Sequence, residues 1–306
     1  MSHDSHGGTK AVKAALAANL VVAIIKLIAA VLTNSKAILA EGIHSVADSL
    51  NQVLLLIGIK QSQKKPDDMH NFGYGKSQFF WSLMVGVILF FLGGTYAMYE
   101  GYHKIIHPEQ LEYAWVVVSI LFIAAVIEGK ALSVAYKEFK AESDGSNVIE
   151  YFKETTNSSV IVILLEDSAA LLGLLIAFIG TIMTIFVNPV FDGIASFLIG
   201  LLLTFVAVTL TREIYKLLIG ESMTPQEHQE IKEQIDSYQI VDTVLSIRSM
   251  YLGNNKALVI VQVDMNDDKR IHELENIVPK IKSDIVRNNE KIYDIIIETI
   301  QEGRNK

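Results

Sequence analysis

Long apolar runs dominate the hydrophobic pattern, at about 12–32, 37–59, 78–98, 113–136, 159–186 and 190–211. Each holds close to the roughly 20 residues that cross ~30 Å of hydrocarbon as a helix. Backbone polar groups find no partner in lipid, so runs of this length predict helices, six of them, spanning a membrane. Past Arg212 the pattern turns polar and its period shortens. Thr224–Ser237 opens with Thr-Pro-x-Glu and predicts a capped helix. Val241–Tyr251 and Lys256–Asp264 flank Gly253-Asn254-Asn255 and predict a hairpin. Asp268–Asn288 reads as a second helix and Ile292–Thr299 as a third strand. The expected fold is therefore an α-helical membrane domain of six transmembrane helices over 1–213. It is followed by a small α/β domain over 214–306 with α-β-β-α-β, ferredoxin-like order. A domain that small has little core of its own, so it is expected to dimerise.

Charge adds an orientation. Lys10, Lys13, Lys60, Lys64, Lys65, Lys76, Lys137, Lys140, Lys153, Arg212 and Lys216 fall on one side of the six runs. The other side has Lys36 and Lys104 near the span ends. Basic residues stay inside, which places both termini in the cytoplasm. The opening MSHDSHGGTKAVK has no apolar core of a cleaved signal, so the first run is expected to remain as a span. The expected host is a prokaryotic inner membrane. A net charge of −8 argues against a nucleic-acid partner, and the absence of cysteine removes thiolate metal sites.

Ionisable residues at bilayer depth are costly and call for a function. In the second run His44 and Asp48 are four apart and share a helix face, and Glu41, three before His44, joins it. An imidazole beside a carboxylate makes two good zinc ligands. The fifth run embeds Glu166 and Asp167 in an otherwise apolar helix, with Asp167 near the depth of Asp48. Without a cation, clustered carboxylates there favour their protonated forms, and a metal ion would displace the protons. His44 is the other natural proton carrier. Glu128 in the fourth run is a candidate for the ion path or for an interhelical contact, whereas Asn19 and Lys26 read as packing and snorkelling residues.

These features resemble the cation diffusion facilitator family, six-span homodimeric antiporters that exchange zinc for protons. The resemblance rests on the His44-x-x-x-Asp48 pair, the acidic fifth span, the soluble tail, and Asp68-Met-His70-Asn71-Phe72-Gly73-Tyr74-Gly75-Lys76 after the second span. It implies divalent cation export, with Zn2+ as cargo, no prosthetic group and a homodimer. The family's two fifth-span ligands stand four apart; Asp167 matches the second, but the first falls on Ile163. Glu166, Glu41 or a water would then complete the shell. The Glu-Asp variant is similar to the branch of the mitochondrial zinc transporters. One imidazole among carboxylates also suits Mn2+ or Fe2+. A second site of some relatives matches at Asp68 and His70, with Tyr74 where another histidine would stand. The tail holds only His228 and His272, and reads as a dimerisation module. A non-transporting membrane regulator is the other class that the missing ligand at Ile163 allows. No nucleophile with a substrate cleft is legible, so the chain does not read as an enzyme.

Overall fold

The computed structural model describes residues 4–33, 36–108, 110, 114–142, 158–266 and 271–300. Among the described residues, six long helical rods come first. They are α1 (Asp4–Thr33), α2 (Lys36–Ser62), the continuous α3 (Ser77–Ile88) and α4 (Tyr96–Ile106), α5 (Ala114–Glu142), α6 (Ser158–Phe186) and α7 (Val190–Ile219). A π-helical segment, Leu89–Thr95, joins α3 to α4 without breaking the rod. Four of the rods are long and apolar enough to cross a membrane among the described residues: Ser77–Ile106, Ala114–Lys137, Val160–Phe186 and Val190–Ile219. The α2 helix is 27 residues long, and Asp48, Asn51 and Gln52 dilute its apolar content.

The helical unit is apolar outside and partly polar inside. Phe122, Leu175, Ile179 and Phe205 are exposed, while Lys26, Gln52, Glu166 and Asp167 are buried. Water would invert that arrangement; a bilayer rewards it. The α5 helix packs on α1 and α6, and α1 on α6. Leu89, Ala169, Leu203, Val206 and Ala207 form an apolar cluster that joins the π segment to α6 and α7. Glycine sets the approach of the third rod to α7. A Cβ at Gly94 would collide with Thr204, and one at Gly101 with the backbone of Phe197.

The third rod differs from the pattern-based expectation. The apolar run stops at residue 98, but the helix continues to Ile106 and takes in His103. Its polar last turns are retained because Lys104 Nζ pairs with Glu100 at 3.2 Å and with Asp192 of α7 at 3.1 Å. Helix continuity here follows from those contacts rather than from apolarity.

A second compact unit combines Ser62–Ser77 with the chain from Lys216 onward. Its elements are α8 (Pro225–Asp236), β1 (Val241–Gly253), β2 (Lys256–Met265), α9 (Ile271–Asn288) and β3 (Ile292–Thr299). Thr224 caps α8 reciprocally: its Oγ1 accepts from the Glu227 amide, and Glu227 Oε2 accepts from the Thr224 amide at 2.8 Å. The sheet order is β1-β2-β3. β1 and β2 are antiparallel about an Asn254–Asn255 turn in which Asn255 has φ 47°. β3 runs parallel to β2, a pairing that needs a crossover, and α9 supplies it. Ile231, Ile235, Ile281 and Ile285 carry the buried helical faces of this layer. Within the same unit Gly75 lies against the backbone of Leu252 and Gly253, too close for any side chain.

Candidate metal site within the helical unit

The site is built from α1, α2, α5 and α6. On α2, the buried or half-buried polar residues Ser45, Asp48, Ser49, Asn51 and Gln52 fall on neighbouring turns of one side. On α6, Glu166 and Asp167 are 7% and 2% exposed, so neither faces outward. Glu128 of α5 is buried as well. Asp48, Glu128, Glu166 and Asp167 all line one cavity of about 220 Å³. Their carboxylates are close enough to feel one another's charge.

The two acidic residues of α6 play different parts. Glu166 accepts from Asn51 Nδ2 at 2.9 Å on one oxygen and from Gln52 Nε2 at 2.8 Å on the other. Its carboxylate thus ties α6 to α2. Asp167 Oδ2 is buried and has no hydrogen-bond partner among the described residues. A buried carboxylate oxygen in that condition is costly unless a proton or a cation supplies the missing interaction. Ile163, one turn before Asp167, is fully buried in the apolar core.

Glu41 and His44 lie within α2, but their side chains are outside the described residues. Among the described residues, no group of three or more His, Asp or Glu side chains is spaced to hold a metal ion. A larger groove of about 540 Å³ between α5 and α6 has no acidic or imidazole side chain among the described residues that line it.

Three polar residues have roles that sequence reasoning missed. Asn51 and Gln52 stand seven and eight after His44, on the face already marked by the His44–Asp48 pair, and that spacing was the available signal. Lys26 was expected to snorkel. Instead it is 5% exposed, lines the cavity, and donates from Nζ to Ser45 Oγ at 3.0 Å. Val12, Ala15, Asn19, Val22, Ala23 and Lys26 form the buried stripe of α1, so helical periodicity already placed Lys26 inward. The cavity also reaches Glu100, Lys104 and Asp192, the ion-paired group that joins α4 to α7.

The Asp68–His70 candidate lies in the second unit, in an exposed segment. Here the carboxylate that meets His70 belongs to Asp67, whose Oδ1 is 3.3 Å from His70 Nδ1. Tyr74 donates its hydroxyl to Asp67 Oδ2 at 2.6 Å. That hydrogen bond, with those from His70, holds the Asp67 carboxyl below its usual range, and the same bond pushes the Tyr74 phenol up. Asp68 itself is exposed. In the tail, His228 Nε2 lies 2.7 Å from Ser249 Oγ, and the side chain of His272 is outside the described residues.

Buried carboxylates within an apolar-faced helical bundle define a membrane protein that handles cations. Residues 12–219 match the cation efflux transmembrane domain, and the chain belongs to that family of cation efflux transporters. It is 33% identical over 85% of its length to the mitochondrial proton-coupled zinc antiporter of Mus musculus, covering 46% of that protein. It is 32% identical over 86% of its length to a metal tolerance protein of Arabidopsis thaliana, covering 58% of it. It is 28% identical to the manganese efflux system protein MneP of Bacillus subtilis, over 92% of both chains. The chain thus spans about half the length of the mitochondrial relatives it matches.

Proposed function

We propose that this protein exports a divalent metal ion, Zn2+ in the first instance, in exchange for protons. The observation that carries the proposal is Asp167 Oδ2, which has no hydrogen-bond partner among the described residues, in a buried cavity shared with Asp48 and Glu128. Metal and protons compete for those carboxylates, because unmatched charge is costly in a buried cavity with largely apolar walls. His44, Asp48 and Asp167 bind the ion, and Glu166 or Glu41 completes the shell. Loading on the cytoplasmic side releases protons, reprotonation on the far side releases the metal, and rocking of the helices alternates access.

In this reading all six rods span an inner membrane of a prokaryotic cell, with both termini cytoplasmic. Residues 1–213 are the transport domain, and 214–306 form a ferredoxin-like homodimerisation domain. The zinc-antiporter name of the mouse relative supports Zn2+. Mn2+ is the second cargo, favoured by the name of the Bacillus relative and by a described cavity lined with oxygen donors.

Flux into proteoliposomes under an imposed pH gradient tests the proposal. Wild-type protein should move Zn2+ or Mn2+ against the proton flow, and Asp48→Ala with Asp167→Ala should abolish it. Undiminished flux in that double variant would overturn the site, and flux indifferent to the gradient would overturn the antiport step alone.

A further inference from the structure

We infer that Lys26 is a fixed counter-charge that weakens the cation affinity of the acidic cavity enough for the cargo to leave. The inference rests on the transport reading above and assigns to α1 a part in the site. Lys26 is 5% exposed and lines the same cavity as Asp48, Glu128 and Asp167. Its Nζ donates to Ser45 Oγ at 3.0 Å, and Ser45 stands three residues before Asp48 on α2. The Glu128 carboxylate feels the charge of Lys26. A lysine at this depth ordinarily extends its ammonium toward the interface. Here the stem points inward and the charge is held among acids.

The consequence is electrostatic. Glu100 and Asp192 in this cavity are already paired with Lys104, but the carboxylates of Asp48, Glu128, Glu166 and Asp167 attract a divalent ion strongly, and a site that binds too tightly stops turnover. A resident ammonium offsets part of that field and repels an incoming cation. It also keeps the empty cavity nearer to neutrality, which lowers the cost of the metal-free state. Because Lys26 is tethered to α1, its distance from the carboxylates changes whenever α1 moves against α2 and α5. Affinity is thereby linked to the position of α1.

The test compares Lys26→Gln, Lys26→Arg and the charge-matched pair Lys26→Gln with Glu128→Gln in full-length protein. Zn2+ and Mn2+ binding is measured by calorimetry and flux in proteoliposomes. Lys26→Gln should tighten binding about tenfold or more and lower KM and kcat together, the pattern of a cargo that is held too well. Lys26→Arg should stay near wild type, and the charge-matched pair should return most of the affinity change. A purely structural α1–α2 tie through Ser45 would do the opposite: Lys26→Gln would weaken binding along with thermal stability. Unchanged or weaker binding by folded Lys26→Gln overturns the inference. If that variant does not fold, tightened binding by the charge-matched pair overturns it instead. Asp48→Asn separates the two levels of argument. Wild-type binding that ignores this change faults the site itself, whereas sensitivity to it with an unresponsive Lys26→Gln faults only the role of Lys26.

Discussion

Gln52 of α2 donates its side-chain amide to Glu166 of α6 at 2.8 Å, across 114 residues of chain. Asn51 does the same to the other oxygen at 2.9 Å. Two consecutive amides thus grip one buried carboxylate and set α2 against α6, with Asp48 of α2 and Asp167 of α6 in a common cavity. Fixing two helices through an acid that is already satisfied leaves the adjacent acid available for cargo.

Removing one of those donors should destabilise the helical unit. A buried acceptor left without its donor costs about 1–3 kcal/mol, and Gln52→Leu leaves one Glu166 carboxyl oxygen without its amide. The expected outcome is a fall in the thermal midpoint of the purified protein, partly returned by adding Glu166→Gln. An unchanged midpoint for Gln52→Leu would count against the tie.

Ile163→His should change cargo preference. The position is fully buried one turn before Asp167, so an imidazole there adds a nitrogen donor to an oxygen-rich site. Competition between Zn2+ and Mn2+ should shift toward zinc by about tenfold, the effect of ~1.4 kcal/mol of differential binding. A shift toward manganese would contradict the geometry.

Lys104→Gln should open the end of the cavity at α4 and α7. Its two partly exposed ion pairs, at 3.1 and 3.2 Å, contribute up to ~1 kcal/mol each, enough to change an opening equilibrium by about tenfold. The chain has no cysteine, so Ala97→Cys in the cavity wall gives a single reactive thiol. Membrane-impermeant thiol reagents should label it faster in the Lys104→Gln background and at the original rate in Lys104→Arg.

Glu227 gives the tail an acid-sensitive cap. Burial pushes its carboxyl up, but Lys291 at 2.6 Å and the Thr224 amide outweigh that and hold it below its usual value. A depressed folded-state value means that the stabilisation is present above the unfolded carboxyl's titration and is lost as pH falls through the folded one. The protection of α8 amides, taken relative to their intrinsic exchange rates at each pH, should therefore fall on acidification in wild type. Glu227→Gln should lower that protection at neutral pH, a cap being worth about 1 kcal/mol, and flatten its acid dependence.

Much of this architecture is legible in the chain. Apolar run length located the six rods, and the Thr224-Pro-x-Glu227 signature marked the start of α8. The turn at Asn254–Asn255 and the α-β-β-α-β order followed from local pattern alone. The insertion cost of charge singled out Asp48, Glu128, Glu166 and Asp167 before any coordinates, because acids this deep are kept only for a reason.

Periodicity assigns residues to faces of their own helix, but it does not say how one helix is rotated against another. That rotation comes from contacts between residues far apart in the chain. Hence only the folded structure shows Glu166 engaged by Asn51 and Gln52 while one oxygen of Asp167 has no partner among the described residues. It likewise joins the inward Lys26 to Ser45 of α2, sets Asp67 instead of Asp68 against His70, and prolongs the third rod to Ile106 through Lys104 and Asp192. Hydrophobic pattern chooses the elements; the pairing of buried polar groups chooses how they are set together.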